Sequence, residues 1–255
     1  MLDIPAGCLE YAVIGTSEPI TLFAHGLGGS ISETRPLSSG VRGTRVFLHF
    51  PGHGRSTAST GTPTYADLAA GALAVADHTG ASRALGVSMG AGALTRLAAD
   101  LPHRFERMVF FLPAVLDRPR SAPTRARLTA MADALEDPQR LAELVAAELP
   151  VSVRQTPAAR LYVAERTARL RTPDIGRGLR IFAEQVPLES RTRLADVTAL
   201  SLVLGCKDDL LHPAAIAREL AAALPLARLH VFPESGPLWT ERTALRGQIG
   251  SFLNA

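Results

Sequence analysis

Arg83-Ala84-Leu85-Gly86-Val87-Ser88-Met89-Gly90-Ala91-Gly92-Ala93-Leu94-Thr95-Arg96-Leu97 decides the fold of this chain. A short apolar run leads into Gly86-Val87-Ser88-Met89-Gly90, and a small-residue helical pattern leaves it. The form is Gly-x-Ser-x-Gly between a strand and a helix, that of a nucleophile elbow. A serine at a strand tip that must turn at once into a helix is held in a strained backbone conformation. Glycines two residues to either side remove the side chains that would collide across so tight a turn. Gly92, one turn into the helix, is expected to let that helix pack closely on the sheet. The bland alternative is an ordinary strand–turn–helix connection with an incidental serine.

Before this stretch, Leu9 to Ile14 reads as a first strand, closed by Gly15 and the polar turn Thr16-Ser17-Glu18-Pro19. Ile20 to Ala24 and Arg45 to Phe50 are continuous apolar runs, the mark of strands buried on both faces. Each ends in a glycine-rich tip, His25-Gly26-Leu27-Gly28-Gly29-Ser30 and Pro51-Gly52-His53-Gly54-Arg55-Ser56. Glycines at a strand's carboxyl end let backbone amides point at a ligand. Thr64 to His78 has apolar residues at helical spacing, with Thr64 as N-cap, Asp67 three residues on and Gly80 as a stop.

After it, Phe105 to Leu112 reads as a strand ending at Pro113-Ala114. The alternation then breaks. Residues 115–193 carry no convincing strand, only helical segments separated by Pro123, Pro138, Pro150, Pro157 and Pro173, and are read as a helical insertion. Leu200–Leu204 and Arg228–Phe232 are strands; Ala214–Leu224 and Thr240–Leu253 are helices. Strand alternating with helix predicts a single α/β domain with a doubly wound, mostly parallel sheet. Ligands of such sheets sit beyond the carboxyl ends of the strands.

Composition narrows the function. With 255 residues, 47% of them apolar, one large domain is expected. No apolar run reaches the roughly 18 residues that a membrane span needs. The chain starts without a basic-then-apolar leader, so a cytoplasmic location is the default expectation. Two cysteines, Cys8 and Cys206, make neither a disulfide framework nor a metal site. The formal net charge of +3 comes from scattered arginines, with Lys207 the only lysine, and no basic block points to nucleic acid.

Jointly, His-Gly-x-Gly at 25–28, Pro-Gly-His-Gly-x-Ser at 51–56, Gly-Val-Ser-Met-Gly at 86–90, the insertion and the acidic turn at 207–213 resemble the α/β-hydrolase fold family over nearly the whole chain. The short lead before the first motif implies that one of the family's usual strands is absent. The resemblance implies that Ser88 is the nucleophile, forming an acyl intermediate. It implies that the amides of Leu27 and Met89 are the oxyanion-hole donors, worth roughly 3–4 kcal/mol each. His25, Gly26 and Trp239 are expected to contact the substrate, and the insertion to act as a cap that roofs a mainly apolar pocket. For the acid, Asp209 fits the spacing back from Pro213 and is favoured over Asp208, which fits the count forward from Gly205. A helix N-cap ahead of residue 214 would also favour an acid there.

One position departs from the pattern. The family places its catalytic histidine after the last strand, where this chain has Glu234-Ser235-Gly236-Pro237-Leu238-Trp239. Proline has no ionisable group and no N–H. His25, His53, His212 and His230 are alternatives, none of them favoured, so no conventional triad is expected. Two readings result. One is a cofactor-independent hydrolase of small carboxylic esters, lactones or activated acyl substrates, with an incomplete triad. The other is a non-hydrolytic protein on the same fold: a pseudo-enzyme, a ligand-binding protein, or a lyase or cyclase. Neither calls for a cofactor or metal. The expected partner is a small apolar or acyl molecule, not nucleic acid or membrane, and a homodimer stays open.

Overall fold

Four apolar runs form the middle of a seven-stranded sheet in a computed structural model that describes all 255 residues. The strands are β1 (Leu2–Ile4), β2 (Gly7–Leu9), β3 (Tyr11–Ile14), β4 (Ile20–Ala24), β5 (Thr44–Leu48), β6 (Arg83–Val87), β7 (Arg107–Phe111), β8 (Leu200–Cys206) and β9 (Ala227–Phe232). β1 and β2 pair only with each other. The main sheet runs β3-β5-β4-β6-β7-β8-β9, parallel throughout except for β3, which pairs antiparallel with β5 at one edge.

The central strands feed two cores by simple alternation. Leu22, Ala24, Val46, Leu48, Ala84, Met108 and Phe110 pack into one face; Phe23, Phe47, Leu85, Val109 and Phe111 into the other. Burial on both faces explains why these strands read as continuous apolar runs. The expected strand over residues 9–14 is interrupted at Glu10, which serves another purpose. Its amide donates to Ser56 Oγ at 2.9 Å, its carbonyl accepts from the His49 amide at 2.8 Å, and its carboxylate accepts from the Arg55 amide at 2.7 Å.

Helices α1 (Ile31–Thr34), α2 (Tyr65–Thr79) and α3 (Met89–Asp100) follow β4, β5 and β6. α2 starts in a capping box, Thr64 Oγ1 taking the Asp67 amide and Asp67 taking the Thr64 amide, and stops at left-handed Gly80. Between β7 and β8 the chain leaves the sheet for α4 (Ala122–Asp133), α5 (Pro138–Ala147), α6 (Pro157–Leu170) and α7 (Pro173–Glu184). Pro123, Pro138, Pro157 and Pro173 sit in the first two positions of these helices. There the missing N–H has no intrahelical acceptor to lose and the fixed φ is already helical. The prolines are helix starts, not merely breaks. The four helices have a core of their own, with Met131, Leu141, Val145, Leu170 and Leu179, and it packs on Leu27 of the loop after β4. α8 (Ala214–Ala223) follows β8; α9 (Pro237–Thr240) and α10 (Arg242–Leu253) follow β9, and α10 closes the second core through Leu245, Ile249 and Leu253.

Candidate active site

Ser88 is the single residue between β6 and α3, with φ 52° and ψ −109°. For a residue with a Cβ this is strained backbone, of order 1–3 kcal/mol, which the surrounding structure must impose. Its neighbours make the turn sterically open. A Cβ on Gly86 would lie 2.5 Å from the Gly90 carbonyl oxygen, and one on Gly90 would lie 2.5 Å from that of Ala24. Gly90 is thus the residue that brings the helix against the sheet. Gly92, to which that role fell in the sequence, instead faces the Tyr65 ring of α2.

A histidine does reach Ser88. His212 Nε2 lies 2.9 Å from Ser88 Oγ, and His212 Nδ1 lies 2.9 Å from Asp209 Oδ2. With Nδ1–H donating to the Asp209 carboxylate, Nε2 is left to accept from the serine hydroxyl. The expectation that no such partner exists is overturned. The physical reason is local: Asp209 and His212 are three residues apart in the turn after β8, and the turn is held by the acid itself. Asp209 Oδ1 accepts the amides of Leu211 at 2.9 Å and His212 at 3.0 Å, so the aspartate fixes both the backbone and the ring of the histidine. Burial alone would push the Asp209 carboxyl up. The His212 ring and the two amides outweigh it and bring the pKa down to about 2. Asp208, the alternative acid, is exposed at a positive φ of 55°.

The other histidines lie elsewhere. His230 stands in β9 edge-on to Phe232. His25 Nδ1 donates to the Gly26 carbonyl at 2.7 Å and Nε2 accepts the Phe50 amide at 3.1 Å. His53 Nδ1 donates to the Pro51 carbonyl and Nε2 accepts the Gly28 amide, both at 3.1 Å. Burial lowers the His53 pKa to about 4, and burial plus the neighbouring His53 ring holds that of His25 well below its ordinary value. Both are neutral staples of the strand-tip loops. Both ring nitrogens of His25 are thus committed within the protein, and the ring itself stands in the wall of the cavity described below. His49, which sequence reasoning passed over, does the same work, taking the Ile31 amide at 3.0 Å and donating to Glu10 at 2.8 Å. Pro237 is buried at the first position of α9.

Ser88 and His212 open on a cavity of about 380 Å³ with a mainly apolar lining. Ser88, His212, His25, Gly26, Leu27, Met89 and Trp239 all line it, and helices α4, α6 and α7 contribute Met131, Tyr162, Leu179 and Phe182. The loop after β4 passes directly beside the serine: a Cβ on Gly26 would lie 3.3 Å from Ser88 Cβ. The amides of Leu27 and Met89 have no acceptor in the protein. No group of three or more His, Cys, Asp or Glu side chains is arranged to hold a metal, and no helix is long and apolar enough to cross a membrane.

Residues 21–245 match the model of the alpha/beta hydrolase family. The chain belongs to that family. Among solved structures of the same fold, the alpha/beta hydrolase enzyme MGS-M2 from a Medee basin deep-sea metagenome library superposes with a TM-score of 0.83 at 14% identity, over 97% of this chain and 94% of that one. The enol-lactonase of Burkholderia xenovorans superposes with a TM-score of 0.80 at 22% identity, over 97% and 96%. In sequence, a stretch of 108 residues is 34% identical to the dihydrolipoyllysine-residue acetyltransferase component of the acetoin cleaving system of Cupriavidus necator. That match takes in 40% of this alpha/beta hydrolase and 28% of the length of the relative.

Proposed function

We propose that the protein hydrolyses small carboxylic esters or lactones through an acyl-enzyme on Ser88, with His212 as general base. The observation that carries this reading is the hydrogen-bonded line Ser88–His212–Asp209, with both heavy-atom distances at 2.9 Å. His212 Nε2 takes the hydroxyl proton as Ser88 Oγ attacks the carbonyl carbon, and later returns it to the departing alkoxide. Asp209 holds the ring in the required tautomer and stabilises the imidazolium. The amides of Leu27 and Met89 receive the oxyanion, a charge that develops only in the transition state. Water then enters, His212 takes its proton, and the acid leaves. Helices α4 to α7 act as a cap. A largely apolar cavity of about 380 Å³ suits a small acyl or aryl group. No cofactor is needed for this chemistry.

The test is labelling and turnover together. A fluorophosphonate should label Ser88, and p-nitrophenyl butyrate should be hydrolysed. Ser88→Ala should abolish both. A wild-type protein that takes no label and turns over neither short aryl esters nor small lactones would leave the site a binding pocket.

A further inference from the structure

The loop Gly26–Gly29 has six backbone polar groups from the Gly26 carbonyl to the Gly29 amide, and five are committed. The Gly26 carbonyl accepts from His25 Nδ1 at 2.7 Å and from the Gly29 amide at 2.9 Å. The Gly28 amide donates to His53 Nε2 at 3.1 Å. The two remaining carbonyls are taken by one helix from the far side of the sequence. Arg166 Nη1 donates to the Leu27 carbonyl at 3.2 Å, and Arg169 Nε donates to the Gly28 carbonyl at 2.9 Å. Only the Leu27 amide is left without a partner.

Arg166 and Arg169 are three residues apart and so share one face of α6. Leu170, next to Arg169, closes on the same loop: a Cβ on Gly28 would lie 2.7 Å from Leu170 Cδ2. Both arginines are themselves held. Arg169 pairs with Glu33, just beyond the loop, and Arg166 faces Glu148 at 3.8 Å. A glycine-rich loop with φ of +67° at Gly28 has the freedom to rotate its peptide planes. Two cationic donors on successive carbonyls remove that freedom. They also place positive charge beside a loop that must face an oxyanion, Arg166 from the wall of the cavity itself.

We propose that Arg166 and Arg169 are positioning residues for the oxyanion hole: α6 clamps the Leu27–Gly28 carbonyls so that the Leu27 amide stays aimed at the reacting carbonyl. This rests on the Ser88 hydrolase reading above. The cap is then part of the catalytic apparatus as well as a roof.

Arg169 is the residue to change, because removing Arg166 would leave Glu148 buried and unpaired. In Arg169→Met, kcat for p-nitrophenyl butyrate should fall about 10- to 100-fold, below the full loss of an oxyanion donor, with KM nearly unchanged. Affinity for an aryl boronic acid, which forms a tetrahedral anion on the serine, should fall in parallel. Arg169→Lys should recover part of both. Normal kcat and normal boronate affinity in folded Arg169→Met would overturn the clamp while leaving the hydrolase reading intact. A matched loss of KM, boronate affinity and melting temperature, with no recovery in Arg169→Lys, would mean a merely structural bond and would also overturn it. An inactive, unlabelled wild type would remove the hydrolase reading, and the clamp with it.

Discussion

Replacing His212 by alanine tests the site at its least expected member. The histidine is the only side chain hydrogen-bonded to Ser88 Oγ, and the distance on each side of its ring is 2.9 Å. Without it the serine proton has no acceptor. Loss of the base from a serine triad lowers kcat by about 10⁴–10⁶-fold, or roughly 5–8 kcal/mol of transition-state stabilisation at about 1.4 kcal/mol per decade. Ser88→Ala and the double variant should fall to the same floor, because residues that act as a unit are not additive. Asp209→Asn should be less severe in folding than in rate. Its side-chain oxygen still accepts the amides of residues 211 and 212, but the histidine loses the partner that sets its tautomer. Pro237→His, which puts a histidine where the sequence resemblance leads one to expect it, should leave kcat within about three-fold if His212 is the base. Initial rates with p-nitrophenyl butyrate and the rate of fluorophosphonate labelling measure all five proteins. A His212→Ala variant within ten-fold of wild type, or a Pro237→His variant faster by orders of magnitude, would refute the assignment of the base.

Acid should destabilise the protein in two windows. His53 has a folded pKa of about 4 against an ordinary value near 6.5, so the unfolded chain binds its proton first and stability falls as pH drops from about 6.5 to about 4. That gap is worth about 3 kcal/mol, and urea midpoints at pH 7 and pH 4.5 should show most of it. Asp209 acts lower: its depressed pKa of about 2 adds stability that is complete above about pH 4 and lost as pH falls toward 2. Gly90→Ala should cost about 3 kcal/mol or more, because the new Cβ meets backbone oxygen that cannot move aside. Gly247→Ala, on the open face of α10, should instead stabilise by about 0.5–1 kcal/mol, and chemical denaturation should separate the two. Thr64→Ala removes the side-chain half of the α2 capping box and should lower the melting temperature by about 2–4 °C, for about 1 kcal/mol.

The sheet was legible because its central strands are buried on both faces and its tips need glycine, and both demands leave marks in adjacent residues. Thr64, Asp67 and Gly80 bounded α2 for the same reason: a cap is a local object. The partners of Gly92 and Glu10 were not legible. Tyr65 against Gly92, and Ser56, His49 and Arg55 around Glu10, come from distant segments, and spacing carries no record of them. His212 is a harder case, since Asp209-x-x-His212 could be read as a motif but its reach to Ser88 could not. Strand order supplies the missing step. Ser88 follows β6, and β7 lies between β6 and β8, so the turn after β8 is two strands away, while the turn after β9 is three. In the proposed mechanism acid and base share one turn, so the nearer loop does the work of two. The loop after β9 then has no proton to carry, and a buried proline at 237 is compatible with a complete site.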